Sequence, residues 1–315
     1  MVMKEIVAKH ILTKSNLPDS DFVINPYTGC THACIYCYAR FMKRFTNHPE
    51  EWGKFIDVKI NAPELVSRDM QKYKGEFITI GSVTDPYNPA ERKYKITRQI
   101  LEKLLPYQPE FDILTKSNLV LRDLDLLKKF KKLIVAISLS TLDPNISKQT
   151  EPFAYLPAER INILKSLHKE GIHTALFISP IFPYITDWKA VILKTKGFVD
   201  EYWFENLNLY PSIRGNILSF LESKDWGLID KYRKIYSPIS TYWEDMEKEI
   251  KAFCKEQKVK GTVYFHHNVS KKPVFETELV IRKINQIEAE IKAGKRKLVG
   301  REEAFKEYPE LKGLL

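Results

Sequence analysis

The sequence predicts an α/β fold: a partial, laterally open (β/α)6 barrel of the TIM type, followed by a mostly helical C-terminal extension. Three observations predict it. From residue 21 onward, six short β-branched or aromatic runs alternate with longer segments of helical period, and such alternation implies a parallel sheet with right-handed crossovers. Six units are fewer than the eight that close the usual barrel, so one side stays open. Finally, the residues able to do chemistry fall where strands end and loops begin, which is the functional rim of such a barrel.

In chain order, the expected strands are 21–24, 76–82, 111–115, 133–140, 172–179 and 201–209, with helices near 34–46, 62–73, 91–105, 119–130, 157–170 and 186–197. In the segment 157–170, Ile161, Leu164, Leu167 and His168 recur at helical spacing and Gly171 follows as a C-cap. Pro63 stands at the start of the segment 62–73, where its missing N–H does no harm. An extended run at 55–60 has no evident place in the barrel. The alternation fades beyond Pro211, which divides a barrel domain, 1–211, from an α-rich extension, 212–315. Within the extension, 242–258 reads as an amphipathic helix holding Cys254, 261–268 as a strand and 274–294 as a further helix.

At 315 residues, with 44% apolar residues and 12 glycines, the chain has the composition of an ordinary compact protein. No segment reaches the ~18 uncharged apolar residues of a membrane span, and the N-terminus has no apolar leader. Four cysteines, three of them crowded together, argue against a disulfide framework and for a reducing, cytoplasmic setting. The formal charge of +10 suits a polyanionic partner such as nucleic acid. The basic residues are spread among glutamates, however, as on a solvated helical face.

The stretch NPYTGCTHACIYCYAR at 25–40 organises the function. Cys30, Cys34 and Cys37 stand in the spacing C-x3-C-x2-C, and three thiolates on one tight loop can bind one face of an iron–sulfur cubane. Three ligands leave the fourth iron open to an outside molecule. A zinc site would need a fourth ligand, from His32 or Cys254. Cys254, far along the chain, reads better as a core thiol, and His32 as a loop residue.

Together with this loop, TDPYNPAE (84–91), ITRQILEKL (96–104), LTKSNLVLRDLDLL (114–127), ISLSTLDP (137–144), TEPFAYLPAERINILKSL (150–167) and GIHTALFISPIFPYITD (171–187) resemble, in collinear order, the radical S-adenosylmethionine superfamily. The resembling branch is that of spore photoproduct lyase and its photolyase-like relatives. The resemblance implies a [4Fe–4S] cluster on Cys30, Cys34 and Cys37, with S-adenosyl-L-methionine chelating the open iron. It implies reductive cleavage to a 5′-deoxyadenosyl radical, an external one-electron donor such as flavodoxin or ferredoxin, and nucleic acid as substrate. The alternatives are radical modification of a peptide or small metabolite, or a non-catalytic electron-transfer or sensing protein.

The resemblance also implies site residues. Gly81 and Ser82 would hold the methionyl amine; the glycine pair and glutamate frequent there are missing, and Thr84 and Asp85 stand nearby to substitute. Thr115, Lys116 and Ser117 end strand three, where hydroxyls and one cation suit a ribose or carboxylate. Ser138 and Ser140 point to one side of strand four and could bond the ribose. Asp85 and Glu151 either line the cavity or form ion pairs with Arg122 or Arg160. The cysteine that spore photoproduct lyase carries in the strand-two region is absent from GSVTDPYNPAE, which leaves Tyr87 or a substrate hydrogen to close a radical cycle.

Overall fold

Residues that alternate in character with a period of two make the sheet, because successive side chains on a strand face opposite ways. The computed structural model describes residues 1–73, 75–237, 239–266, 286–287 and 289–295. Its strands are β1 (Val2–Ile6), β2 (Leu12–Lys14), β3 (Phe22–Ile24), β4 (Tyr27–Thr28), β5 (Phe55–Lys59), β6 (Phe77–Ile80), β7 (Glu110–Thr115), β8 (Leu133–Ser138), β9 (His173–Ile181), β10 (Glu201–Asn206) and β11 (Lys260–Val263). Its α-helices are α1 (Ala62–Asp69), α2 (Glu91–Tyr94), α3 (Ile96–Leu104), α4 (Leu124–Leu127), α5 (Pro144–Thr150), α6 (Pro157–Lys169), α7 (Trp188–Thr195), α8 (Pro211–Glu222), α9 (Trp226–Ile235) and α10 (Tyr242–Gln257).

One sheet runs β2-β3-β6-β7-β8-β9-β10-β11. Every pair from β3 to β11 is parallel, while β2 lies antiparallel on β3. The sheet is open, with β2 and β11 as its edges. The six expected strands are all present. The seventh parallel strand, β11, corrects the expected strand number. It lies in the segment assigned to the extension, and it pairs with the edge of β10, whose unpaired backbone groups would otherwise face solvent. The run at 55–60 is β5, the centre of a small second sheet ordered β1-β5-β4.

The chain divides into two compact units, 1–208 with 244–266, and 209–243 with 267–315. Most of α10 and all of β11 belong to the first unit. The expected helix at 274–294 lies largely outside the described residues. In the second unit, α8 and α9 bury Ile213, Ile217, Leu218 and Leu221 with Ile229 and Tyr232.

Helices cover the outer face of the barrel sheet. Ile80, Ile113, Val135, Ile137, Leu176, Ile178 and Phe204 are fully buried there, as are Ile100, Leu101, Leu104, Leu164, Leu167 and Ile192 on the helices. Each such side chain contributes about 1.5–3 kcal/mol of transfer free energy. The opposite face carries Thr79, Asp112, Ser138 and Glu201 beside an apolar cluster of Ala136, Ala175 and Trp203 with Leu114, Ile134 and Phe177.

The sequence misjudged some helices for local reasons. The segment 34–46 contains only a 3-10 stretch, Tyr38–Phe45, because the cysteine loop keeps Cys37 extended (φ −66°, ψ 111°). The segment 91–105 breaks at Lys95 (φ 52°), where the Glu91 carboxylate accepts from the Thr97 and Arg98 backbone N–H groups at the start of α3. Helix α5 was not expected. Asp143 caps it through the N–H groups of Asn145 and Ile146, with Pro144 in its first turn.

Candidate cluster and cofactor site

The cysteine loop leaves β3 and β4 and crosses the C-terminal end of the barrel strands. Gly29 begins it at φ +93°, and a Cβ there would sit 2.4 Å from the Phe55 carbonyl oxygen, so only glycine fits. Cys34 is buried, while Cys30 and Cys37 are half-buried. Burial pushes all three thiols up, Cys34 to about 12, and the neighbouring thiolates raise Cys30 and Cys34 further. Thiols this close and this shielded need a strong positive charge to ionise together, which bound iron provides.

The surrounding donors fit such a group. The Trp52 indole N–H is buried without a conventional acceptor among the described residues. It lies against Cys37 and favours its thiolate. Arg40 donates from Nη2 to the Cys34 carbonyl at 3.0 Å, and its Nε is buried and unpaired among the described residues. No three His, Cys, Asp or Glu side chains among the described residues are grouped around one ion position. His32 is an anchor rather than a ligand: its Nε2 donates to Asp85 at 2.7 Å.

The loop after β6 bolts the cysteine loop in place. Asn25 donates to the Ser82 hydroxyl at 3.0 Å and accepts from the Val83 N–H at 3.0 Å. The Tyr38 hydroxyl donates to the Ser82 carbonyl at 2.5 Å, and Thr84 Oγ1 to the Gly29 carbonyl at 2.5 Å. Gly81 (φ +99°) packs so tightly that a Cβ would lie 2.5 Å from Pro86 Cδ and 2.8 Å from the Leu114 carbonyl oxygen.

Asp85 is the hub. Its Oδ1 accepts from Thr115 Oγ1 at 2.7 Å and the Tyr87 N–H at 2.8 Å. Its Oδ2 accepts from His32 and, at 2.9 Å, from the Lys116 N–H. Burial opposes ionisation, but His32 and these hydrogen bonds hold the carboxyl down at about 2. The remaining motif residues do similar work. Asn88 bonds back to the Asp85 carbonyl, and Glu91 is bonded by Tyr27 and Arg122.

Among the other expected residues, Thr115 and Ser117 are occupied locally. Thr115 Oγ1 accepts from the Ser117 N–H at 3.0 Å, and Ser117 Oγ caps the following 3-10 stretch through the Leu119 N–H. Ser138 Oγ donates to the Ser179 carbonyl at 3.4 Å, and Ser140 is buried just beyond β8. Lys116 sits over the Tyr36 ring at 5.9 Å, with Nζ 3.9 Å from Glu151 Oε1. Burial works against its charge, but the Cys34 thiolate and Glu151 outweigh this and hold Lys116 above the ordinary lysine value.

Sequence reasoning offered Arg160 as a partner for Glu151 under this lysine, but missed Tyr36 and the Ser138 carbonyl. Glu151 takes hydrogen bonds from Tyr36 and Arg160, and Arg160, fully buried, also donates to the Ser138 carbonyl at 3.0 Å. Glu151 therefore pairs with Arg160, the second of its two expected partners; Arg122 instead pairs with Glu91 and Asp123. Glu205 went unnoticed too. It is half-buried, accepts from the Ser179 hydroxyl at 2.5 Å and lies 3.9 Å from His266 Nε2; burial raises its carboxyl. Cys254 lies within 2.6 Å of where a Gly261 Cβ would stand, against Phe204 on the outer face, so it is a core thiol.

Residues 24–194 match the family described as the Radical SAM superfamily. An uncharacterized protein of Methanocaldococcus jannaschii is 43% identical over 208 residues, covering 66% of this chain and 78% of that protein. A structure of spore photoproduct lyase complexed with dinucleoside spore photoproduct aligns with a TM-score of 0.64 at 15% identity, covering 84% of this chain and 82% of that one. Streptococcus suis SuiB bound to precursor peptide SuiA aligns with a TM-score of 0.54 at 14% identity, covering 82% of this chain and 50% of that one. At these identities the two structures speak to the fold alone.

Proposed function

We propose, from the premise that this chain belongs to the radical SAM superfamily, that it is an enzyme acting on nucleic acid. The cofactors of the superfamily are a [4Fe–4S] cluster and S-adenosylmethionine, and an electron-transfer or sensing protein without catalysis is set aside. Together these groups, bound and reduced, supply 5′-deoxyadenosyl radical chemistry. Cys30, Cys34 and Cys37 hold the cluster. The Gly81 carbonyl is the acceptor offered to a methionyl amine, because the Ser82 hydroxyl and carbonyl and the Thr84 and Asp85 side chains already serve the protein. Lys116 places a cation beside the cluster for a carboxylate. The Ser138 hydroxyl and the buried Ser140 stand where a ribose would be bonded.

The observation that carries the substrate reading is the whole chain's surplus of ten positive charges, taken together with a barrel sheet that is open at its edges. Phosphate contacts would dominate such binding, which would weaken steeply with salt. The inner face offers Glu205 and Ser179 as polar groups, beside Phe177 and Trp203 packed edge-to-face on one another. The spore photoproduct lyase complex carries a dinucleoside in the same fold. The hydrogen donor differs, since Cys254 is turned away from the barrel interior. Tyr87 is buried beside Asp123 and Glu91, which leaves hydrogen return to the substrate.

The test measures 5′-deoxyadenosine formation by cluster-loaded, reduced protein with a panel of damaged or modified oligonucleotides. Stimulation by one of them supports the reading. If peptides stimulate turnover and nucleic acids do not, the substrate is a peptide, the reading favoured by the SuiB complex. No helix among the described residues is long and apolar enough to cross a membrane. The clustered free thiols suit a reducing compartment, and we place the protein in the cytoplasm.

A further inference from the structure

The 3-10 stretch Tyr38–Phe45 begins one residue after the last cluster cysteine and exposes what a folded protein usually hides. Ala39 is buried in the cluster of Trp52 and Phe55, with Met42 packed against it. The other face carries Tyr38 stacked on Phe41 at 6.3 Å, and Phe41 edge-to-face with Phe45 at 6.5 Å. Phe41 is 36% exposed and Phe45 66% exposed. The Arg44 guanidinium lies over both rings, at 5.4 and 4.7 Å. The stretch contains three cations, Arg40, Lys43 and Arg44, and no carboxylate. Glu51, whose carboxylate feels Lys43 and Arg40, is tied to Lys54 at 2.7 Å. Paired exposed aromatics rimmed by cations mark an interaction surface rather than a solvated one.

We propose that this surface docks an acidic, one-electron carrier protein that reduces the cluster, so that Phe41, Arg44 and Phe45 are its contact residues. Two observations choose this occupant over nucleic acid. The stretch is joined directly to the cluster's ligands: Cys37 precedes it, Arg40 bonds the Cys34 carbonyl, and Tyr38 bonds the Ser82 carbonyl. It also packs on Trp52 and Phe55, in and beside the small sheet, whereas the groups suited to a substrate, Ser138, Ser179 and Glu205, face the barrel interior. The carrier gives one electron to the oxidised cluster and leaves oxidised by one electron; no bond forms between the proteins. The surface rests on the radical SAM reading for the presence of a cluster, and on its own geometry for the docking.

The test uses the cluster-loaded full chain and the variants Arg44→Glu and Phe41→Ser/Phe45→Ser. Formation of 5′-deoxyadenosine is driven either by a reduced flavodoxin or by dithionite, and binding of the oxidised flavodoxin is followed by calorimetry at low salt. Both variants should slow the flavodoxin-driven rate by about tenfold or more, since steering by charged surfaces changes association on that scale. They should weaken its binding in parallel and leave the dithionite-driven rate unchanged. Rising salt should slow the wild-type flavodoxin reaction and barely affect the Arg44→Glu variant. Equal flavodoxin rates in wild type and variants overturn the proposal, as does loss of oligonucleotide binding with the flavodoxin rate intact. Absence of 5′-deoxyadenosine from the wild type with dithionite would instead defeat the underlying enzymatic reading.

Discussion

Replacing Asp85 by Asn separates a structural hub from a cofactor contact. The carboxylate accepts four hydrogen bonds, from His32, Thr115, Tyr87 and Lys116, and is buried. An asparagine oxygen can keep the two donors at Oδ1, but its NH2 group would then face the donors of His32 and Lys116. A hydrogen bond to a charged group is worth about 1.5–3 kcal/mol, and breaking a buried pair costs about 3–5 kcal/mol. We expect Asp85→Asn to lose about 3–5 kcal/mol in urea unfolding of the cluster-free protein, seen as a lower midpoint at unchanged slope. Thr115→Val, which removes one of the four donors to this charged group, should lose about 1.5–3 kcal/mol.

The sign with pH is also fixed. The folded carboxyl sits near 2, below its ordinary 3.8. Its stabilisation is therefore present above about pH 4 and lost as pH falls through about 2, an effect of about 2 kcal/mol that the variant lacks. The reasoning fails if Asp85→Asn unfolds like the wild type while losing affinity for S-adenosylmethionine, because the carboxylate would then be a cofactor contact.

Other outcomes can be checked with the same preparations. Anaerobic reconstitution should load about four irons per chain; replacing Cys30, Cys34 or Cys37 by Ala should abolish this by iron assay, and Cys254→Ala should not. Gly81→Ala should lower the unfolding midpoint, because its Cβ would meet Pro86 and the Leu114 carbonyl at a positive φ. Burial lifts the Asp112 carboxyl from 3.8 to about 7, and one of its oxygens lacks a partner among the described residues. Its folded pKa being raised, stability should fall as pH rises from about 4 to 7, by up to about 4 kcal/mol. Asp112→Asn should flatten that slope in urea unfolding compared at pH 5 and pH 8; an equal slope in both proteins would show the carboxyl to be solvated.

The sequence by itself determined the barrel strands and the cysteine spacing on which the proposed cluster rests. Local alternation placed all six expected strands, because a strand buried by helices must be apolar on its outer face whatever its neighbours are. The C-x3-C-x2-C spacing singled out Cys30, Cys34 and Cys37 as the proposed ligands, because one tight loop can bring them together without help from distant chain. Tertiary structure alone decided the rest. Asp85 is a hub only because His32 and Lys116, 53 and 31 residues away, converge on it. Glu151 is held by Arg160 on a neighbouring helix and by Tyr36 from the cysteine loop, 115 residues away. The strand at 260–263 joins the barrel because the edge of β10 is left open, which no local pattern announces. Hydrogen bonds between chain segments far apart in sequence depend on how strands are ordered in space, and a hydroxyl or carboxylate reads alike whether it will bind a cofactor or another loop.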